Sequence, residues 1–349
     1  MANKSVNTRE LSIFCSQMSM VIQAGIGFME GVPLLREQTS SKALKAELGK
    51  IEDLVKTGVP FAKACQEMPD SVFPPYMKNM ITIGDASGSM DVIFDRLADY
   101  YEQDNKLRRK VRGAVTYPAV LTLLMIAMVG LLVVKILPMF GDILASMGGS
   151  VPPFTQALLN FSAFMNDFGI WILICLIFII LGITFWIKTE AGRRWVHAWQ
   201  LSFPIARNIF PKIITARFSR SLAILLRSGV SLLNALEMVE ELVENTKVEH
   251  RFKIAREAIG DGVDLILALD KMQIFPPLFL RLVDIGQKTG FLDDMLSKAA
   301  EIFDDEVDES LQRMTNLLEP VIIIILSVVV GIILLSVMLP MISIMNSIG

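Results

Sequence analysis

The sequence contains itself twice, and that duplication limits the possible folds more than any single motif does. Phe14 to Gly25 (FCSQMSMVIQAG) lies over Phe218 to Gly229 (FSRSLAILLRSG) at an offset of 204, and Gly58 falls on Gly262 at the same offset. A two-residue shortening then moves the offset to 202. There Phe73-Pro74-Pro75 meets Phe275-Pro276-Pro277, and Ile83-Gly84 meets Ile285-Gly286. Gly88, Asp91 and Pro118 fall on Gly290, Asp293 and Pro320, and Leu137-Pro138-Met139 falls on Leu339-Pro340-Met341. Each copy ends in a long apolar run, so the duplicated unit is a polar domain with its own membrane anchor.

A chain of 349 residues with 53% hydrophobic content is too apolar for an ordinary soluble protein of its size. Three stretches approach the roughly 20 apolar residues that a bilayer-crossing helix needs. They lie at 119–137, 169–187 and 321–345. Their orientation follows from the basic residues, which favour the cytoplasmic side. Residues 1–118 carry 15 Lys and Arg and residues 188–320 carry 17, whereas 138–169 carries none. The remaining cation, Lys135, stands at the end of the first span, where its stem reaches the interface. The polar start is expected to lack a cleavable leader, so the chain enters the membrane through its first span.

The expectation is an all-α membrane protein with two tandem homologous cytoplasmic helical-bundle domains and three transmembrane helices. The first domain spans 1–118 and the second 188–320. Span one (119–137) leads to an outward, periplasmic loop (138–168), span two (169–187) returns, and span three (321–345) carries an outward C-terminus. Phe14, Met18, Val21 and Ile22 share one helical face, as do Phe218, Leu222, Leu225 and Leu226. Gly25 and Gly229 close those helices, and each Phe-Pro-Pro step starts another with proline in its first turn. Gly84 to Gly88 and Gly286 to Gly290 read as turns, followed by helices that Asp91 and Asp293 stabilise at their starts. With no strong breaker before Pro118 or Pro320, each of those last helices runs on toward its span. Tyr117, Pro118 and Pro320 mark the membrane entry.

Chemistry is sparse. Gly286-Gln-Lys-Thr-Gly290 has its lysine before the second glycine, the wrong order for a phosphate loop, which predicts a connecting turn. His197 and His250 lack a metal-binding neighbourhood, and no catalytic, cofactor or metal site is predicted. Cys15, Cys65 and Cys175 read as packing thiols. The candidate contacts are surface groups: the acidic run Asp304, Asp305 and Glu306 (continuing to Asp308 and Glu309), Glu319 at the edge of span three, and Asp85 and Gln287 at equivalent positions. An exposed charge run is most often a solvated face. Here, however, the equivalent region of copy one holds the basic cluster Lys106, Arg108, Arg109, Lys110 and Arg112. The two copies would then offer different surfaces, one to anionic lipid and one to a basic partner. Neither domain carries the positive charge of a nucleic-acid binder.

The paired openings at Gly25 and Gly229, the Phe-Pro-Pro steps, the two glycine segments and the entry pairs Tyr117-Pro118 and Glu319-Pro320 resemble one family over essentially the whole chain. So does the outward Val151-Pro-Pro-Phe-Thr155 stretch. That family is the type II secretion system F protein and its type IV pilus counterpart, the PilC-type inner-membrane platform, here in a short form without the N-terminal extension. Its glycine segment often has glutamate after the first glycine, whereas this chain has Asp85 and Gln287. The resemblance implies a non-enzymatic, multi-pass protein of the bacterial inner membrane, with a cytoplasmic N-terminus and a periplasmic C-terminus. Its implied partners are a cytoplasmic assembly ATPase, pilin or pseudopilin subunits, other inner-membrane assembly proteins, lipid and further copies of itself. A small transporter or channel component is the alternative, and it would need polar residues within the spans. Reporter fusions active only in the cytoplasm should score after Gln103 and Glu249 and stay silent after Gly148 and Gly349. A signal at Gly148 would overturn the three-span topology.

Overall fold

The computed structural model describes residues 6–139, 142, 153–187, 189, 192, 204–240, 242 and 245–348, and among these there is no strand. Copy one forms α1 (Thr8–Gln23), α2 (Phe28–Gln38), α3 (Lys42–Lys56), α4 (Phe61–Gln66), α5 (Pro75–Ser87) and α6 (Met90–Leu131). A π-helical turn, Leu132–Ile136, follows, and α7 spans Pro153–Ile187. Copy two repeats the six helices as α8 (Pro204–Arg227), α9 (Leu232–Glu240), α10 (Thr246–Gly260), α11 (Leu265–Lys271), α12 (Pro277–Thr289) and α13 (Leu292–Ile348). The short helices α4 and α11, just after the Gly58 and Gly262 turns, lack a strong periodic signal. Residues 1–110 and 197–310 form one compact unit, and 111–196 with 311–349 form another.

In the first unit, sequence decides each helix locally. Asn7 caps α1 and Glu10 reaches back to the Asn7 amide, a reciprocal capping box. Asp264 caps α11 through the amides of Ile266 and Leu267. Along α1, Leu11, Phe14, Cys15, Met18 and Val21 are buried, a 3.6-residue stripe. Phe14 meets Phe73 edge-on at 5.8 Å, and the equivalent pair, Phe218 and Phe275, stands 5.0 Å apart. The same aromatic contact therefore anchors the Phe-Pro-Pro step to the first helix in both copies. The hydrophobic core runs without a break through residues of both bundles.

The glycines divide into two kinds. Gly88 and Gly290 follow α5 and α12 with φ of +67° and +79°, as do Gly25 (+76°) and Gly229 (+78°) after their helices. That left-handed conformation costs an L-residue roughly 1–2 kcal/mol. Gly84 and Gly286 are not turn residues: each lies inside the last turn of its helix, because the glycine that ends the helix comes four residues later. What they supply is closeness. A Cβ on Gly286 would stand 2.8 Å from the Cα of Leu292 and 3.1 Å from the Cβ of Met295, while one on Gly84 would meet the Met90 sulfur at 2.8 Å.

In the second unit, α7 begins at Pro153, so the polar stretch read as loop is helical from there onward. Proline suits a first helical turn, and no breaker intervenes before Gly169. Val151 and Pro152 lie outside the described residues. The π turn loosens the usual hydrogen-bond ladder, and the carbonyl of Val133 accepts a 2.5 Å bond from the buried Ser162 hydroxyl on α7. Two helices are long and apolar enough to cross a membrane among the described residues, Met90–Met139 and Leu292–Leu335. Pro118 and Pro320 lie inside these helices, which continue through them.

The close crossings generate a graded expectation. Gly286→Ala should destabilise the protein by about 1–3 kcal/mol through overpacking against backbone. Gly84→Ala should cost less, because the Met90 side chain can rotate away and the fixed obstacle is the Ile93 Cβ at 3.1 Å rather than backbone at 2.8 Å. Thermal loss of helical circular dichroism would measure both, and equal midpoints would show that the backbone contact is not limiting.

Candidate functional site

Charged residues of both copies gather around α8, where the two copies meet. Asp104 on α6 is buried, with 6% of its side chain exposed, and its carboxylate receives Arg108 Nε at 2.7 Å and Arg217 Nη2 at 2.8 Å. Two turns earlier on α6, Arg96 donates to the Ser228 hydroxyl at 2.7 Å and to the carbonyl of Ile224 at 3.3 Å. Between them lies Tyr100, its ring 4.9 Å from that of Tyr76 on α5. Burial pushes the Tyr100 phenol up to about 12, with nearby Asp104 adding to the rise, while Arg217, the Ser221 hydroxyl and Arg220 oppose it. Arg96, Tyr100 and Asp104 are four residues apart and so share one face of α6. Opposite them, Arg217, Ser221, Ile224 and Ser228 form a stripe along α8. Helix α5 also touches α9.

The acidic run is occupied. Asp304 binds Arg220, whose side chain is only 11% exposed, and Glu306 pairs with Lys212 at 2.9 Å. Asp308 pairs with Lys110 of copy one. The Asp304 carboxyl is nonetheless raised above the usual range, because burial outweighs the opposing pull of Arg220 and Lys110. Expected as an open surface, the run instead points Asp304, Glu306 and Asp308 at cations on α8 and α6. A helix turns each successive side chain by about 100°, so consecutive acids cannot share a face. Asp305 is the exposed one of the three candidates. The basic cluster is likewise engaged: Lys106 pairs with Glu102 at 2.6 Å, and Lys110 meets Asp308. The opposite charges read as two separate surfaces therefore meet in part.

Asp85 and Gln287 are exposed on the last turns of α5 and α12, and Gln287 donates to Asp264 at 3.3 Å. Glu319 and Tyr117 are exposed on α13 and α6. Cys15 and Cys65 are buried, with thiols raised far from reactivity by desolvation, and Cys175 is exposed on α7. His250 is exposed, and His197 lies outside the described residues. Among the described residues no cluster of His, Cys, Asp and Glu could hold a metal ion. The sequence reading missed Arg217, Arg220 and Asp104. The signal available was Ile13 and Ser16, where copy two has arginines.

An internally duplicated all-helical protein, each copy closing on a helix apolar enough to cross a membrane, is the class that this architecture defines. Within that class, the family model for the type II secretion system (T2SS), protein F, matches twice, at residues 14–138 and 218–340, and the chain belongs to that family. It is 32% identical to the type IV pilus assembly protein PilC of Thermus thermophilus, over 98% of this chain and 84% of that protein. It is 30% identical to the protein of the same name in Myxococcus xanthus, over 98% and 82%. The type II secretion system protein F of Aeromonas hydrophila is 29% identical, over 99% and 89%.

Two adjacent acids should behave in opposite ways. Asp304→Lys would set a cation against buried Arg220 and should cost roughly 3 kcal/mol. Asp305→Lys changes an exposed group and should stay within about 0.5 kcal/mol. Denaturant midpoints of the detergent-solubilised protein check the contrast, and equal losses would mean that the Arg220 pair carries little of the fold.

Proposed function

We propose that the chain is an inner-membrane platform of a type IV pilus or type II secretion machine, coupling a cytoplasmic assembly ATPase to the insertion of pilin or pseudopilin subunits. The observation that carries this reading is the last helix of each copy. Both α6 and α13 hold bundle-packing residues at one end and an apolar run at the other, with no break between. An uninterrupted helix passes a displacement along its axis with little loss, which is what a mechanical coupler requires. Family membership supplies the context, since the relatives are named for pilus assembly and secretion.

In this reading the N-terminus and both bundles are cytoplasmic, 169–187 within α7 is span two, and the C-terminus is periplasmic. The exposed apolar side chains of α7, among them Trp171, Phe178 and Phe185, then face lipid. Asp305, Asp85 and Gln287 offer exposed polar contacts to the ATPase. Glu319, at the membrane edge of α13, offers a carboxylate to the charged N-terminus of an extracted pilin-like helix. The chain itself performs no catalysis.

Purified full-length protein should retain the partner ATPase in a pull-down and hydrolyse no ATP alone. Intrinsic hydrolysis, or no retention of the ATPase at any salt concentration, would overturn the coupling role.

A further inference from the structure

Asp95, Asp99 and Glu102 follow one another on α6 at four- and three-residue spacing, so they form a single exposed row. The row is one wall of an open groove of about 410 Å³, and the other wall is α1, with Ile13, Ser16 and Gln17. One cation, Arg9, also lines the groove. Glu102 is paired with Lys106 of its own helix at 2.6 Å, both side chains being about half exposed. Asp95 and Asp99 have no ion-pair partner among the described residues. The Asp99 carboxyl is raised above the usual range, by burial first and then by Asp95 and Glu102, with Lys106 opposing. Like charges are crowded there, and cations brought beside them would relieve the crowding.

Copy two shows how such a groove is filled. At offset 202, Asp99 and Glu102 correspond to Glu301 and Asp304; at offset 204, Ile13 and Ser16 correspond to Arg217 and Arg220. Copy two therefore answers its own acid, Arg220 binding Asp304. Its groove also takes a helix from outside the copy: α6 lays Asp104 on Arg217 and Lys110 on Asp308, and Lys110 acts on Asp304 as well. Copy one holds the acids without the two arginines, and no helix of the chain lies across them. The three carboxylates are not gathered to hold one metal ion.

We propose that the groove between α1 and α6 receives a basic amphipathic helix of a separate protein, its Lys or Arg side chains spaced to meet Asp95, Asp99 and Glu102 in turn. A helix suits the site because the equivalent groove of copy two holds one. Its cations meet the α6 wall as charge-assisted pairs, and its apolar edge lies on Ile13, which is 47% exposed. The occupant is not another copy of this chain, because the basic stretch that would fit is already committed within it. Lys106 is on Glu102, Arg108 on Asp104 and Lys110 on Asp308. Complementary charge of this kind selects a partner and sets its register more than it adds affinity.

Photo-cross-linking tests the full-length chain in the membranes of the cells that make it. With p-benzoylphenylalanine substituted at Ile13, irradiation should join the chain to a different protein. Sequencing of the cross-linked peptide should place the link in a helical segment with a row of Lys or Arg at that spacing. The same probe at Leu267, exposed on α11 outside the groove, should give no such adduct. Ser16→Arg would supply on α1 the cation that copy two holds at Arg220, and it should lower the adduct about tenfold. Asp99→Asn, which preserves shape and removes charge, should lower it as well. Unchanged helical circular dichroism would show that each variant folds. No adduct, an adduct only with a second copy of this chain, a link to a segment without the basic row, or yields indifferent to both variants would each overturn the proposal. ATPase retention is read in a separate pull-down, so the groove and the coupling role fail independently.

Discussion

Asp104 is held between two guanidiniums, Arg108 from its own helix and Arg217 from the other copy. The way the two copies pack on each other depends on that joint. Two copies of one bundle offer the same faces and could pair in several ways by burying apolar surface alone. A buried carboxylate tolerates few of them, because a register that misses Arg217 leaves Asp104 out of water with only Arg108 of its own helix beside it. The pair adds little net stability over an apolar equivalent, and what it supplies is a choice of face. Arg96 strengthens that choice two turns away, by bonding a backbone carbonyl and a hydroxyl at the end of α8.

The duplicated halves differ in the cations of α8. Lys212, Arg217, Arg220 and Arg227 of α8 correspond to Thr8, Ile13, Ser16 and Gln23 of α1. In copy two they meet Glu306, Asp104, Asp304 and the Asp293/Asp294 pair. In copy one, the same crossing is made by hydroxyls instead, Ser12 to the carbonyl of Ala98 and Ser19 to that of Asp91. One backbone plan thus runs with two kinds of cement. The ion-bound copy is also the one that receives its neighbour, while the hydroxyl-bound copy keeps an open groove.

The duplication, the helical class and the family were legible because they rest on patterns that survive in one dimension. Repeat register, 3.6-residue apolar stripes and left-handed glycines are local, and Gly88 and Phe73 hold equivalent places to Gly290 and Phe275 in structure as in sequence. The helical start of α7 at Pro153 was less legible, since a polar stretch beside a span reads equally as loop or helix. Gly84 and Gly286 were misread for a similar reason. Glycine serves turns and close crossings alike, and only the neighbour across the crossing tells them apart.

By itself, the sequence determined that two like bundles exist, that each closes on an apolar helix, and which family the chain belongs to. The tertiary structure decided what the charges do. Asp304 and Asp305 are adjacent and chemically identical, yet one is turned onto Arg220 and the other stands in water. That difference follows from helix rotation and from where α8 crosses α13. The partner is 84 residues away along the chain, and no local pattern records a contact at that separation.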